Sequence, residues 1–600
     1  MKTFAGRLLT LNTPRLCAQT AAEVYANCRV LYRGYIANRT ALIQEARTRR
    51  ARIDFATDGE LFAKAYEWWG SGLQARVLGE YAVAVFDTRR ASFLATHDSL
   101  GLVPLFFCKA PNYLAFASHL EELLSLTGIE SLDEEYIADY LANGTLTNAR
   151  TPYTNVRRLL AGQSLTWESG RATARTTWDI RRLEPVLLSN DEEYEERFRA
   201  LLHEGVRASL PQGRKVWCEL SGGLDSSSVF CMAVRAGIAD VGAFSVVYSS
   251  SKSANESRWI KLVVGDHAPC WYTLDGDEVK PFWALPCEIC PEPINVFPSA
   301  GLFARYKQLA ASHGVAVVLS GYGGDQVLCG DAPRPYHLAD LFPFRCHALL
   351  NALRNWTATH HEKRSTLYYF LANVLAPSLR HFRRRRLSVS CAPVTPHWIR
   401  SSYAAAIRFE ERGLVQIAPR CRSIGQQYLA ERIWRTGLTA PDGPTQPFDF
   451  RYPLLYRPFV EFMLGIPWDQ RLRPGQDRCL QRRAMKGILP EQIRQRRDKR
   501  GSAEAEIEGL RVGTAWTTLL LHRPRIVERG YVDARLWCEA VNQARFGRIP
   551  SMRHFIAAAT LEIWLRQLED FKPGTRRTTQ RERARQALTA AGADDVTIVS

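Results

Sequence analysis

The chain contains 600 residues, of which 46% are hydrophobic and 23% are charged. These proportions are those of globular proteins, so the composition excludes a largely disordered chain, and the length allows two or more domains. The 79 Lys and Arg residues outnumber the 61 Asp and Glu residues, and the formal net charge of +18 favours anionic ligands or acidic partners. Basic clusters at 383–386, 494–500 and 576–585 lack interleaved aromatic residues, so nucleic acid is not expected as a partner.

Apolar residues and cysteines indicate the compartment. Since no apolar run reaches the roughly 18 residues of a spanning helix, we expect no membrane insertion. Cys218 and Cys231 lie in apolar patterns typical of free thiols. Cys287 and Cys290 form a Cys-x-x-Cys pair with no second pair beside it, so it is predicted to be structural and not a zinc site. The expected location is a reducing cytoplasm.

Short alternating apolar runs dominate the first part of the chain. They predict strands at Tyr81–Phe86, Ser92–Ala95 and Tyr113–Phe116, and helical patterns at Glu60–Trp69 and Glu134–Leu141 lie among them. This mixture predicts an α+β layered domain at 1–188.

A polar stretch at Leu187–Glu196 predicts a linker into a helix, with Ser189 or Asn190 as the N-cap. A second domain is predicted at 195–570. An Arg- and Ala-rich tail at 571–600 is predicted to be a charged helix or a loose segment.

The second domain opens with a strand, a glycine turn and a helix. Val216, Trp217 and Leu220 suit a buried strand, Ser221-Gly222-Gly223 permits a tight turn, and a helix is predicted at Ser226–Ala236. We call residues 221–226 the first glycine loop. Its backbone N–H groups and the helix N-terminus suit a phosphate or pyrophosphate, although the Walker A spacing is missing. The alternative is a flexible Ser/Gly turn.

Strands and helices then alternate, which predicts a parallel sheet. The predicted strands are Val241–Tyr248, Cys270–Leu274 and Gly314–Leu319, and the predicted helices are Glu256–Val264 and Ser299–Ser312. The last strand leads into Ser-Gly-Tyr-Gly-Gly-Asp, which we call the second glycine loop (residues 320–325). Because ligands of open parallel sheets bind at the carboxyl ends of the strands, both loops are expected to face one ligand.

Each glycine loop carries one carboxylate. Magnesium is held in proteins through carboxylates and phosphate oxygens, so Asp225 and Asp325 are the predicted metal ligands. Either aspartate alone would be read as a helix cap.

A family is recognisable from these motifs. Ser-Gly-Gly-Leu-Asp-Ser at 221–226 resembles the pyrophosphate loop of the asparagine synthetase superfamily, whose members split ATP into AMP and pyrophosphate. The text at 79–87, 97–105 and 116–118 resembles the glutamine amidotransferase domain of the asparagine synthetases. The resemblance implies an Ntn-type layered domain at 1–188, followed by an α/β ATP-pyrophosphatase domain.

One departure concerns the glutaminase. That family uses a cysteine exposed as the first residue after methionine removal, as nucleophile and base together. Position two is Lys2 here, and the first cysteine is Cys17. The amidotransferase-like domain is therefore expected to be a degenerate scaffold that releases no ammonia from glutamine.

The resemblance also implies a set of site residues. Those assigned to ATP and pyrophosphate are Leu220, Ser221, Gly222, Gly223, Asp225, Ser226, Val246 and Gly321, and the magnesium ligands are Asp225 and Asp325. Tyr322 stands where asparagine synthetases have a glutamate and β-lactam synthetases a tyrosine, so it is a candidate base or amine-orienting group. Glu362 is its candidate partner, with a solvated helix face as the alternative.

Two later segments extend the likeness. Residues 450–455 and 460–462 resemble the segment that covers the family's site. Leu489–Ile493, followed by Arg497-Asp498-Lys499, resembles a segment whose lysine stabilises charge on the phosphate and the tetrahedral intermediate. Lys499 is the match, and a surface lysine is the alternative.

The second loop and the Tyr336–Leu341 stretch look like those of lasso peptide cyclases, which are bacterial. Such an enzyme joins the N-terminal amine of a ribosomal precursor peptide to an Asp or Glu side chain, and a leader-peptide protease and a leader-binding protein are its expected partners. A β-lactam synthetase is the nearest alternative, an ammonia-dependent asparagine synthetase the next, and a non-catalytic ATP-binding scaffold the alternative from another class.

Overall fold

The computed structural model describes most of the chain. The residues outside the description are 1–2, 10–14, 19–21, 54–56, 145–148, 169–170, 238–239, 252–253, 266–269, 287–289, 294–296, 330–334, 343, 360–364, 384–394, 413–423, 440–446, 498–502, 514, 549–550 and 570–600. The predicted tail at 571–600 is among them, as are Lys2, Glu362 and Lys499.

The first domain contains eleven strands and five α-helices among the described residues. The strands are β1 (Ala5–Leu9), β2 (Arg15–Ala18), β3 (Glu23–Tyr25), β4 (Cys28–Ile36), β5 (Gly79–Asp87), β6 (Ser92–His97), β7 (Phe106–Lys109), β8 (Tyr113–Ala117), β9 (Val156–Arg158), β10 (Gln163–Glu168) and β11 (Arg171–Thr176). The helices are α1 (Arg39–Thr48), α2 (Asp58–Trp69), α3 (Leu73–Arg76), α4 (Leu120–Thr127) and α5 (Glu134–Asn143).

These strands form two sheets, in the orders β2-β1-β8-β7-β9 and β11-β10-β6-β5-β4-β3. Strand β5 shows why they stack, because its side chains alternate between two cores. Ala82, Ala84 and Phe86 face the other sheet, whereas Tyr81 and Val83 face helix α2. The predicted layered α+β domain is confirmed.

The second domain supplies the remaining elements. Its strands are β12 (Lys215–Glu219), β13 (Asp240–Val247), β14 (Trp271–Asp275), β15 (Val317–Leu319) and β16 (Asp449–Arg451). Its helices are α6 (Asp191–Ser209), α7 (Leu224–Ala236), α8 (Ser257–Val264), α9 (Ala300–Ser312), α10 (Gly324–Val327), α11 (Cys346–Thr359), α12 (Thr366–Phe370), α13 (Ala376–Arg383), α14 (Ser401–Ala406), α15 (Phe409–Arg412), α16 (Ile424–Thr439), α17 (Arg457–Gly465), α18 (Trp468–Arg471), α19 (Cys479–Ala484), α20 (Glu491–Gln495), α21 (Ala503–Val512), α22 (Ala515–Leu521), α23 (Arg525–Glu528), α24 (Ala534–Ala544) and α25 (Met552–Glu569).

The five strands of this domain form one parallel sheet in the order β14-β13-β12-β15-β16. The central strand β12 buries Val216, Trp217 and Cys218, as its apolar pattern predicts. The predicted α/β architecture is therefore confirmed. Helix α7 begins at Leu224, two residues before its predicted start, because Gly223 takes the extended N-cap conformation.

Helix α6, at the start of this domain, is capped by one of the two residues predicted for that role, Ser189 or Asn190. The side chain of Asn190 accepts a hydrogen bond from the backbone N–H of Glu193 at 2.9 Å, which makes Asn190 the N-cap of α6. No helix in the described part of the chain combines the length and the apolar character that crossing a membrane requires.

The C-terminal helices join the two domains. Trp516, Trp537, Phe555 and Trp564, from α22, α24 and α25, lie in one core with α4, α5 and the outer face of the β1 sheet. The first domain is thus covered on one side by residues of α22, α24 and α25.

Candidate active site

The first glycine loop follows β12 and leads into α7. Gly222 has φ of +66°, and a Cβ there would lie 2.6 Å from the Cβ of Trp259, so only glycine fits the turn. The hydroxyl of Ser226 accepts a hydrogen bond from the N–H of Ser221 at 3.2 Å and donates to the carbonyl of Gly223 at 3.3 Å. Because the N-cap is Gly223, no N-cap side chain makes a capping hydrogen bond to the first-turn N–H groups, which leaves that position open to an anion.

Arg496 holds the outer side of this loop. Its Nη1 donates to the carbonyl of Gly222 at 3.1 Å, and its Nη2 donates to Glu256 at 2.8 Å. Its guanidinium lies 4.5 Å from the ring centroid of Trp259. Sequence reasoning missed this role, since Arg496 was one member of the basic cluster at 494–500. Its position shortly after the Leu489–Ile493 motif was the available signal.

The second glycine loop follows β15. Gly323 has φ of +86°, and a Cβ there would lie 2.5 Å from Cδ2 of Leu455. The N–H of Ser320 donates to the carbonyl of Arg451 at 3.0 Å, and the hydroxyl of Ser320 accepts from the N–H of Tyr322 at 3.2 Å. The end of β16 is therefore hydrogen-bonded to the start of this loop.

The two loops lie against each other because β12 and β15 are parallel neighbours, paired from Val216 with Val317 onward. A Cβ on Gly321 would lie 2.9 Å from the backbone nitrogen of Ser226. A Cβ on Gly324 would lie 2.5 Å from Cγ of Asp225. Only residues without side chains allow this approach, so the glycines at both positions bring the two loops onto one site.

Serine hydroxyl groups form hydrogen bonds that hold the strand ends around the loops in place. Ser245 donates to the carbonyl of Leu220 at 2.7 Å, and Val246 follows Ser245, half-buried, near the carboxyl end of β13. Ser320 donates to the carboxylate of Glu219, which links the end of β12 to the second loop. Burial raises the pKa of Glu219, and the hydrogen bond from Ser320 opposes that rise.

The two predicted metal ligands, Asp225 and Asp325, are held by one guanidinium. Nη1 of Arg478 lies 3.0 Å from Oδ1 of Asp225, and Nη2 contacts Asp325. Gln481 also donates to Oδ1 of Asp225 at 3.1 Å. The side chain of Asp225 is 14% exposed and that of Asp325 is 51% exposed. Sequence reasoning missed Arg478 and Gln481, which belong to no motif that it used.

The donor set suits magnesium. Two carboxylates that reach one cation, with phosphate oxygens completing the shell, are the ligands that Mg²⁺ prefers in nucleotide sites. No group of three or more His, Cys, Asp or Glu residues in the described part of the chain is placed to hold a metal ion, so the other ligands would come from nucleotide and water. Cys287 lies outside the described residues, so the Cys287–Cys290 interpretation stays a prediction.

Tyr322 is a half-buried residue of the second glycine loop. Its ring centroid lies 5.5 Å from that of Tyr452, at an interplanar angle of 57°. Its predicted partner Glu362 and the predicted charge-stabilising Lys499 lie outside the described residues, so their assignments stay predictions.

The described cysteines of the first domain are Cys17, Cys28 and Cys108. Lys2 lies outside the described residues, and Cys17 is exposed on β2. Burial raises the pKa of Cys28 to about 12 and raises that of Cys108, so neither buried thiol is suited to act as a thiolate near neutral pH.

Sequence comparison agrees with this architecture. The family model described as asparagine synthase matches residues 197–566, which is more than half of the chain, and the model described as a glutamine amidotransferase domain matches residues 5–178. The fold and the paired loops define an amidotransferase-type domain followed by an ATP-pyrophosphatase-type domain. The chain belongs to the asparagine synthase family.

Several curated relatives are similar to parts of the chain. A protein of Methanocaldococcus jannaschii assigned as a glutamine-hydrolyzing asparagine synthetase is 26% identical over 51% of this chain and 59% of its own length. One of Mycobacterium tuberculosis is 28% identical over 34% of this chain and 33% of its own length. Asparagine synthetase 3 of Bacillus subtilis is 22% identical over 77% of this chain and 74% of its own length. The chain thus spans less than two thirds of the first two relatives.

Among solved structures, glutamine PRPP amidotransferase from B. subtilis is 12% identical, with a TM-score of 0.21, over 40% of this chain and 59% of that chain.

Proposed function

We propose that this chain is an ATP-dependent amide ligase that activates a carboxylate as its adenylate. The observation that carries the proposal is the meeting of the two glycine loops at one edge of the parallel sheet, with Asp225 and Asp325 on a single cation. That combination suits adenylation, because backbone N–H groups bind phosphates and carboxylates hold magnesium. ATP is the proposed co-substrate and Mg²⁺ the proposed metal.

The reaction has two steps. A substrate carboxylate oxygen attacks the α-phosphorus of ATP, and the bond to the β-phosphate breaks with release of pyrophosphate. An amine then attacks the acyl carbon, the bond from that carbon to the AMP oxygen breaks, and the amine gives up its proton to a base. The sum is one amide, AMP and pyrophosphate from a carboxylate, an amine and ATP.

The residues divide between these steps. The first-turn N–H groups of α7 are proposed to hold the phosphates, and magnesium on Asp225 and Asp325 would offset charge on the departing pyrophosphate. Tyr322, with Glu362, is proposed to orient the amine and accept its proton. Lys499 is proposed to stabilise the negative charge of the second step.

The proposed substrate is a ribosomal precursor peptide, whose N-terminal amine is joined to an Asp or Glu side chain as in lasso peptides. Tyrosine instead of a carboxylate at position 322 supports an amine larger than ammonia. Exposed leucines also lie on helices α11, α12 and α13 and on the helical turn that joins the last two: Leu350, Leu367, Leu371 and Leu379. Exposed apolar side chains suit contact with a peptide better than with a small amino acid. A leader-peptide protease and a leader-binding protein are the proposed partners.

The proposal is tested by pyrophosphate release from Mg-ATP with mass spectrometry of the acceptor. The acceptors are a peptide with an internal Asp or Glu, and free aspartate with ammonia. We expect release with the peptide, together with the loss of one water from it. Release with small acids alone would move the function to a small-molecule ligase such as a β-lactam synthetase. Absence of release with every acceptor, with the candidate partners also supplied, would favour the scaffold alternative.

A further inference from the structure

A buried carboxyl group of the first domain lies against the segment that leads to the second glycine loop. Glu80 lies on β5 and is 6% exposed. Its Oε1 accepts two hydrogen bonds, one from the backbone N–H of Tyr452 at 2.7 Å and one from the hydroxyl of Tyr35 at 3.3 Å. Glu80 therefore ties the amidotransferase-like domain to the residue that follows β16.

Tyr452 leads directly to the second glycine loop. Its ring faces that of Tyr322 at 5.5 Å, and the residue before it, Arg451, accepts the N–H of Ser320. The backbone of β16 and the ring of Tyr452 thus both contact residues of the second loop. A displacement of Tyr452 would change the surroundings of Tyr322.

Further contacts fix the same segment. The guanidinium of Arg451 lies 4.1 Å from the ring centroid of Tyr35, and its Nη1 donates to the carbonyl of Ser209 at 2.9 Å. Arg457 donates to the carbonyls of Gln74 at 2.9 Å and Ala75 at 2.8 Å. The first domain therefore contacts residues 451–457 through three of its own elements, β4, β5 and α3.

We infer that the amidotransferase-like domain is a positioning element of the synthetase site, in which Glu80 sets the place of Tyr322 through Tyr452. The inference rests on the proposed function only for the role of Tyr322 in the amine step. Glu80 is a positioning residue, because it touches neither loop. A domain that releases no ammonia would in this way still be required for amide formation.

A purely structural role for Glu80 predicts a different outcome. A packing residue would lower the stability of the whole chain and affect both steps of the reaction equally. A positioning residue should affect the amine step and leave adenylation intact, since the first glycine loop is held separately by Arg496. The two partial reactions therefore separate the two roles.

The test compares three variants of the full chain. Glu80→Ala removes the acceptor of the hydrogen bond from the N–H of Tyr452, whereas Glu80→Gln keeps a side-chain carbonyl as acceptor. Trp178→Phe is the matched control, because Trp178 donates to Glu461 on α17 at 2.8 Å across the same interface, and this hydrogen bond does not involve the backbone of Tyr452. We expect amide formation to fall about tenfold in Glu80→Ala with ATP–pyrophosphate exchange within about twofold of wild type, and to be largely restored in Glu80→Gln.

A readout that needs no activity completes the test. Amide hydrogen exchange of residues 317–328 is expected to rise about tenfold in Glu80→Ala and to stay unchanged in Trp178→Phe. Unchanged exchange there, or equal losses in both partial reactions, would overturn the inference. Absence of ATP–pyrophosphate exchange in the wild type with every carboxylate would instead overturn the proposed function, and hydrogen exchange would still decide the role of Glu80.

Discussion

The two glycine loops share one local design and differ in what holds them. Each follows a parallel strand, turns at a glycine with positive φ and carries an aspartate in the first turn of a helix. The first loop leads into the 13-residue helix α7 and is held by Arg496 from within its own domain. The second leads into the 4-residue helix α10 and is connected through β16 to the other domain.

This difference suggests a division of labour. A loop anchored on a long helix and a buried arginine suits the phosphates, which are the same in every turnover. A loop anchored through Tyr452 on the first domain suits the variable part of the reaction, the acceptor amine. The first loop is therefore expected to be sensitive to substitutions in its own domain. The second loop is expected to be sensitive to substitutions in the amidotransferase-like domain as well.

The largest expected effect concerns the two aspartates. Asp225→Asn should lower pyrophosphate release at least about 100-fold without loss of the circular dichroism spectrum, because Asp225 is enclosed and two side chains orient it. Asp325→Asn should cost less, about tenfold, because half of its side chain is exposed and water can replace it as a ligand.

Asp240→Asn is the matched control for both aspartate variants, since Asp240 is exposed at the opposite end of the sheet. A greater loss in Asp325→Asn than in Asp225→Asn would reverse the comparison of the loops.

The contact between Glu80 and the backbone of Tyr452 should make the stability of the protein depend on pH. Burial raises the pKa of Glu80 from 4.5 to about 8, against the opposing effects of Tyr452, Arg451 and Tyr35, and Asp98 raises it further. The folded state therefore holds a proton that the unfolded state has lost above its ordinary pKa. The stability from this proton is complete below about pH 4.5 and is lost as the pH rises through about 8.

Glu80→Gln should remove this dependence. The free energy of unfolding of the wild type should fall relative to that of Glu80→Gln between pH 5 and 8, by an amount on the order of 2 kcal/mol. Urea unfolding across this pH range measures the difference. Parallel pH profiles of the two proteins would show that Glu80 does not take up a proton on folding.

The local part of this design could be predicted from the sequence, since strand, glycine turn and helix start are contiguous. The Asn190 cap and the parallel sheet followed from the same kind of signal. The residues that hold the loops could not be predicted, because Arg478, Arg496 and Glu80 reach them from distant segments. Nothing in the text around Glu80 indicates that it binds a backbone 372 positions away.

Replacing the loop glycines by alanine should destabilise the protein by different amounts. Gly222 and Gly213 have similar φ values, +66° and +63°, but nothing lies within 4 Å of a Cβ at Gly213. Gly213→Ala should cost about 1 kcal/mol for its backbone conformation alone, whereas Gly222→Ala should cost about 2–3 kcal/mol because its Cβ meets Trp259 close to the backbone. Gly323→Ala should fall between them, since the flexible end of Leu455 can move. Thermal unfolding measures all three, and equal costs would show that the close contact at Gly222 relaxes freely.

The smallest expected effect concerns the cation between the loops. Arg478→Met leaves Asp225 and Asp325 close together without their shared guanidinium, and since Asp325 is half exposed the loss of stability should be only about 1–2 kcal/mol. Mg²⁺ alone should restore stability in the variant and change the wild type little, because the metal takes the position of a charge that the wild type already has. Arg473→Met, which removes a surface pair with Asp191, is the control and should not respond to Mg²⁺. Equal responses of Arg478→Met and wild type to Mg²⁺ would mean that the ion binds away from these carboxylates, and the two loops would then share a ligand without sharing a metal.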